Sequence, residues 1–139
     1  MARVAEQVID AHKPHLGNKP VEVRLEVEGT LEVVAPSSVV AVALGNLIGN
    51  AFKYTPRGEV VVRVGDGKVV VEDSGPGIAL ADAERLFERG IRGEGATGKG
   101  AGLGLAIVRR LCELYEWRVS LRPRPQGGAA ATLDFRQRR

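Results

Sequence analysis

Val4, Val8 and Ile9 recur at helical spacing ahead of Pro14, which predicts a short first helix that the Gly17, Asn18 and Pro20 cluster ends. Val21, Val23, Leu25 and Val27 then alternate with charged or polar residues, the signature of a strand with one solvated face. Gly29 and Thr30 turn the chain, and Leu31, Val33 and Val34 predict a second short strand completing a hairpin. After Pro36, the residues Val40, Leu44, Leu47, Ile48 and Ala51 repeat at three and four positions and predict a long helix with an apolar stripe. That helix should stop near Tyr54, because Pro56 disfavours helical geometry just before it.

Residues 59–64 and 68–72 flank Gly65, Asp66 and Gly67 and form the clearest hairpin in the chain, the second strand running directly into Asp73. Residues 81–87 suggest a short helix. Residues 89–102 are rich in glycine with no apolar period, which predicts a mobile loop. Leu103, Ala106, Ile107, Leu111 and Leu114 predict a further helix, and residues 118–121 and 129–135 two closing strands around a Pro and Gly turn. The implied class is α+β, a two-layer sandwich of about three helices on a mixed, mostly antiparallel sheet, with a glycine-rich loop between the last two helices. No internal repeat or linker divides residues 1–139, so a single domain is expected.

The 139 residues are 44% hydrophobic, enough for one independently folding core but not for two. Net charge is only +3, and the excess sits late, in Arg118, Arg122, Arg124, Arg136, Arg138 and Arg139. With few aromatics interleaved, these read as a solvated terminus rather than a nucleic-acid or lipid surface. The single cysteine, Cys112, excludes an internal disulfide and reads as a core or flank residue. No apolar run is long enough for a signal peptide or a membrane span, so a cytoplasmic chain without membrane contact is expected.

Asn46, Asn50 and Lys53 stand at i, i+4 and i+7 and project from one helix face. Two amides and an ammonium in a line suit a hydrated magnesium ion and polyphosphate oxygens, since magnesium takes oxygen ligands; the same spacing also suits surface or packing amides. Asp73, Ser74, Gly75, Pro76 and Gly77 make a D-x-G-x-G turn at a strand end, where a carboxylate can accept a hydrogen bond from an exocyclic amine such as adenine's. An ordinary turn after a strand wants the same residues. In residues 98–105 glycines alternate and a helix then begins, the kind of helix start that binds phosphate. Gly93, Gly95 and Gly98 match G-x-G-x-x-G, and residues 93–99 match G-x-x-x-x-G-K. Neither is preceded by a strand, and Gly100 stands where a P-loop needs Ser or Thr, so both motifs are set aside.

Taken in order, these segments resemble the ATP-binding domain shared by histidine kinases, DNA gyrase, Hsp90 chaperones and mismatch-repair ATPases. Residues 46–56 (NLIGNAFKYTP) look like the family's N box, and Asp73, Ser74, Gly75, Pro76, Gly77 and Ile78 its first glycine box. Leu86, Phe87, Glu88 and Arg89 with Arg92 are similar to its F box, and residues 100–108 to its second glycine box. The likeness runs over nearly the whole chain. The Lys53, Tyr54, Thr55, Pro56 run points to histidine kinases, as does Asn46, where gyrase-like and chaperone ATPases carry a water-activating Glu. Two departures are Gly90 and Ile91 in place of a second F-box aromatic, and Tyr115, Glu116 and Trp117 in place of a His-Gly-Gly run.

The resemblance implies a Bergerat-type ATP-binding fold whose residues 89–99 form an ATP lid. It also implies Mg-ATP as cofactor, with Asn50 as the chief magnesium ligand and Asn46 assisting near the phosphates. Lys53 would meet phosphate oxygens, Tyr54 would flank the nucleotide, and Asp73 would read the adenine amine in a pocket shaped by Gly75, Gly77 and Ile78. Arg92, with Arg89 as the alternative, would touch the terminal phosphate or the docked partner domain, making Asn46, Lys53 and Arg92 the catalytic set. The amides around Lys99, Gly100, Gly102, Leu103 and Gly104 would cover the phosphates. The implied partners are a separate dimerisation domain carrying the phosphoacceptor histidine and, through the longer protein, a response regulator; the fragment is expected to be monomeric. The longer protein would be an inner-membrane sensor with this part in the cytoplasm. His12 and His15, the two histidines present, flank Pro14 and are expected at the surface rather than as phosphoacceptors. Readings of other classes are an anti-sigma-type serine kinase and a nucleotide-free interaction module of the same fold.

Overall fold

The computed structural model describes residues 1–29, 33, 35–55, 57–74, 99–124 and 128–136, and among these a helical layer covers one face of a five-stranded sheet. Helix α1 (Ala2–His12) tightens into a 3₁₀ turn (Lys13–Leu16), where Pro14 has no amide to donate, and Gly17 at φ 59° ends it. There follow β1 (Val21–Glu28), α2 (Ser37–Tyr54), β2 (Gly58–Gly65), β3 (Lys68–Asp73), α3 (Lys99–Tyr115), β4 (Arg118–Pro123) and β5 (Ala129–Asp134). The strand order is β1-β2-β3-β5-β4, with β1 parallel to β2 and every other pair antiparallel. The mixed, mostly antiparallel α+β sandwich expected from the sequence is therefore what forms.

Strand alternation and the α2 stripe explain the two layers. Val40, Leu44, Leu47, Ile48 and Ala51 are all buried, as their spacing requires, and α1 adds Ala5, Val8 and Ile9. They pack against Val60, Val62, Val64, Val69, Val71 and Leu133 from the inner face of the sheet. Between β2 and β3, Asp66 (φ 56°) and Gly67 (φ 77°) both take positive φ, the geometry of the two-residue hairpin turn that an Asp-Gly pair favours. The outer face is charged: Arg24 reaches Glu26 at 3.8 Å and Glu59 at 3.7 Å, and Arg63 reaches Glu72 at 3.1 Å and also pairs with Glu26. The Glu72 hydrogen bond is the main reason the Arg63 pKa is raised. Val61 lies among these residues at only 2% exposure.

Three expectations change. Val33, the described residue of the strand expected at residues 31–34, is in no strand and packs half-buried against the core, while β1 finds its described partner in β2, across the α2 crossover. Leu31, Glu32 and Val34 lie outside the described residues, as do residues 81–98 with the expected short helix and most of the lid. Helix α3 starts at Lys99, inside the stretch expected to be loop through Gly102. Glycine costs about 1 kcal/mol per helical position, so propensity argues against that start. Once Val108 and Cys112 nucleate the helix by packing in the core, each added residue gains a hydrogen bond and the helix extends back. The buried face of α3 is also rotated from the expected stripe: Val108 and Cys112 are buried, whereas Ile107 is 38% and Leu114 59% exposed.

Candidate functional site

Topology brings the C-terminus of α2 and Asp73 to one end of the sheet. The C-terminus of α2 is four residues from Gly58, where β2 begins, and Val60 pairs with Asp73. Asp73 follows Val69 and Val71 on the helix-facing side of β3, and α2 packs on that strand. The same row continues through Ala129 to Pro123, so the entry to β5 and the exit of β4 meet at Asp73. Helix α3, with 17 residues, is about 25 Å long. It leads into β4 at the far end of the sheet and is long enough to return its N-terminus to the Asp73 end.

On α2, Asn46 and Asn50 are half-buried and Lys53 is exposed, forming the rim of the helix beside its buried stripe. Asn46 Nδ2 donates to the Val42 carbonyl at 2.9 Å, which leaves its Oδ1 as an acceptor. Two amide oxygens are hard neutral ligands of the kind magnesium accepts beside phosphate and water. Among the described residues no cluster of His, Cys, Asp and Glu offers an alternative metal site. Thr55, at 0% exposure, follows directly, and its Oγ1 has no partner among the described residues. The donor chemistry at this end therefore fits a magnesium-bound polyphosphate, and the half-buried Asp73 fits an amine-bearing base.

The remaining candidates are placed only in part. Tyr54 is the last residue of α2, and Lys99, Gly100, Gly102, Leu103 and Gly104 form the first turns of α3; the side chains of residues 54 and 99–105 are outside the described set. Gly75, Gly77, Ile78 and Arg92 lie outside it altogether.

Several contacts were not foreseeable from motifs. Lys19 Nζ donates to the carbonyls of Phe52 at 3.0 Å and Lys53 at 3.1 Å, closing the end of α2 that carries Lys53 and Tyr54. His12, expected at the surface, is half-buried: its Nδ1 bonds the Val8 carbonyl at 2.9 Å and its ring lies over Gly45 and Gly49. A Cβ on Gly45 would meet His12 Cε1 at 3.2 Å, so the absent side chains let α1 approach the helix that carries Asn46 and Asn50. Arg124 and Arg136, expected in a solvated tail, are both engaged. Arg124 Nη1 donates to the Asp73 carbonyl at 2.8 Å, and Arg136 pairs with Asp134 at 2.8 Å. The hydrogen bond from Arg136 holds the Asp134 carboxyl below its ordinary range.

The family model of the histidine kinase-, DNA gyrase B- and HSP90-like ATPases matches residues 37–139, from the start of α2 to the end of the chain. The chain belongs to this ATPase family. Within it, the domain is 35% identical over 138 residues to the sensor-like histidine kinase SenX3 of Mycobacterium tuberculosis (strain H37Rv), an alignment covering 94% of this chain and 34% of SenX3. It is also 35% identical to the sensor protein kinase PmrB of Pseudomonas aeruginosa over 127 residues, 87% of this chain and 26% of PmrB. The chain thus spans about a third or less of these relatives' own length. Its fold superimposes on full-length ShkA in complex with AMPPNP with a TM-score of 0.80 at 28% identity, covering 96% of this chain and 29% of ShkA. On the mycobacterial sensor histidine kinase MprB the TM-score is 0.76 at 26% identity, covering 94% and 90% of the two chains. No described helix is long and apolar enough to cross a membrane.

Proposed function

We propose that this ATPase domain binds Mg-ATP and donates its γ-phosphate to a histidine on a separate dimerisation domain, the first step of signalling to a response regulator. The observation that carries the reading is that α2, which bears Asn46, Asn50 and Lys53, packs on β3, which ends in Asp73, in a chain related to sensor kinases. Asp73 accepts a hydrogen bond from the adenine amine, with Gly75, Gly77 and Ile78 shaping the base pocket and Tyr54 flanking the base. Asn50 ligates magnesium through its amide oxygen, with Asn46 beside it. Lys53 and Arg92 neutralise phosphate charge, and the amides from Lys99 to Gly104 at the start of α3 cover the phosphates. When bound, Mg-ATP supplies the phosphoryl group; the domain contributes position and charge neutralisation. An amide at Asn46 is a poor base, so water is left unactivated and the phosphate is kept for the histidine.

Neither His12, packed on α2, nor His15 is the acceptor in this reading, so the isolated domain binds nucleotide without labelling itself and is monomeric. The domain works in the cytoplasm and makes no contact with nucleic acid or membrane. Calorimetric titration of ATP with and without magnesium, on the wild-type domain and on Asp73→Asn and Asn50→Ala, tests it. The reading expects loss of affinity in Asp73→Asn and loss of the magnesium dependence in Asn50→Ala. Absence of ATP binding by the folded wild-type domain would overturn it, as would acid-labile self-labelling of His12 or His15 for the claim about the acceptor.

A further inference from the structure

The peptide that leaves β3 between Asp73 and Ser74 is held from both sides. On the β2 side its amide, Ser74 N, donates to the Glu59 carbonyl at 3.1 Å, and Ser74 Oγ accepts from Glu59 N at 2.9 Å. On the β5 side its carbonyl, Asp73 O, accepts from Arg124 Nη1 at 2.8 Å. A glycine with positive φ stands on each flank. A Cβ on Gly58 (φ 114°) would lie 2.0 Å from Ser74 Oγ, and one on Gly128 (φ 89°) would lie 1.8 Å from the Asp73 carbonyl oxygen. Arg124 is brought there by the same turn as Gly128, since its amide donates to the Gly128 carbonyl at 2.9 Å.

We infer that Arg124 is a positioning residue for Asp73 and thereby a determinant of base specificity. The inference rests on the reading of Asp73 as the acceptor for the adenine amine. A carboxylate selects an amine only if its oxygens stay at hydrogen-bonding distance and angle from it, and these depend on the direction of the Asp73 Cα–Cβ bond. That direction is set by the peptide units on either side of Asp73. The preceding unit lies within the ladder between β2 and β5, with Asp73 opposite Val60 and Ala129. The following one is the last before the D-x-G-x-G turn departs, and Arg124 and Glu59 fix its two ends. A charge-assisted bond to a half-buried carbonyl resists the rotation that would swing the carboxylate away from the base. Arg124 thus acts on nucleotide choice through the backbone, without touching nucleotide.

The test compares the affinity of the purified domain for Mg-ATP and for the Mg-triphosphate of purine riboside, which lacks only the exocyclic amine. The proteins are wild type, Arg124→Ala, Arg124→Lys and, as a control for loss of a neighbouring positive charge, Arg122→Ala. The wild type is expected to prefer ATP by about tenfold or more, the scale of one well-made hydrogen bond to a charged group. Arg124→Ala is expected to lower that ratio at least about fivefold, chiefly by weakening ATP, while Arg124→Lys keeps most of it and Arg122→Ala all of it. General destabilisation would weaken both ligands together and leave the ratio unchanged. A wild type that prefers ATP and an Arg124→Ala ratio within twofold of it would overturn the role of Arg124 alone. A folded wild type that binds both ligands equally would overturn the reading of Asp73 and the inference with it.

Discussion

Replacing Lys19 by Met removes one ammonium and keeps its stem, isolating what that charge does for the end of α2. The last carbonyls of any α-helix lack intrahelical partners. Here Lys19 serves two of them, Phe52 at 3.0 Å in a half-buried setting and Lys53 at 3.1 Å in an exposed one. Hydrogen bonds involving a charged group contribute about 1.5–3 kcal/mol when shielded, and solvent screening reduces the exposed member to a fraction of that. About 1–2 kcal/mol for the pair is the resulting scale. With an unfolding entropy of roughly 2.1 cal/mol/K per residue, a chain of 139 residues loses about 0.3 kcal/mol per kelvin near its midpoint. Lys19→Met should therefore lower Tm by about 3–7 °C in differential scanning calorimetry, and Lys19→Arg, which can still donate, should lose less. Hydrogen exchange should accelerate at residues 52–55 and leave β2 and β3 unaffected. A Tm within 1 °C of wild type, or faster exchange spread evenly over the sheet, would refute the argument.

Glu116 sits at φ 62°, a left-handed conformation that glycine adopts with less strain, in the turn that lets Trp117 N reach the Cys112 carbonyl at 3.0 Å. Glu116→Gly should raise stability by about 0.5–1 kcal/mol, or about 2–3 °C in Tm; a fall in Tm would contradict it. The Cys112 thiol is pushed up to about 11 by burial, with the nearby Glu113 charge adding to it. A raised folded pKa means that stability is constant below the unfolded thiol's pKa and erodes as pH rises toward the folded one. Denaturant midpoints should thus fall between about pH 9 and 11, by up to about 2–3 kcal/mol, and Cys112→Ala should fall less over that window; equal slopes would sink the assignment.

The α2 stripe was legible because Val40, Leu44, Leu47, Ile48 and Ala51 recur at three and four positions and all five are buried, although the apolar Val42 on the opposite side is 48% exposed. In α3 apolar residues occur on more than one side, and only the position of α2 decides that Val108 and Cys112 turn inward while Ile107 and Leu114 face out. The partner of β1 was misread for a related reason. Alternation fixes which face of a strand is buried but carries no address for its neighbour, and a parallel partner beyond a crossover helix looks locally like any other strand. The positions of Asn46, Asn50 and Asp73 followed from local spacing. Lys19, Ser74 and Arg124 act through backbone atoms 15 to 51 residues away, and no pattern in their own neighbourhoods announces it.

The mixture of near and far pairings gives the domain a folding order. The β2–β3 hairpin closes through a two-residue turn, so the contact of Ser74 with Glu59 can form on the microsecond scale of hairpins. Pairing β3 with β5 and seating Arg124 on Asp73 must wait for fifty or more intervening residues to be drawn in, a closure entropy that slows non-local contacts. One half of the grip on Asp73 therefore belongs to the earliest structure in the chain and the other half to the latest. During refolding, the β2–β3 hairpin should be recovered before the ability to tell one purine from another.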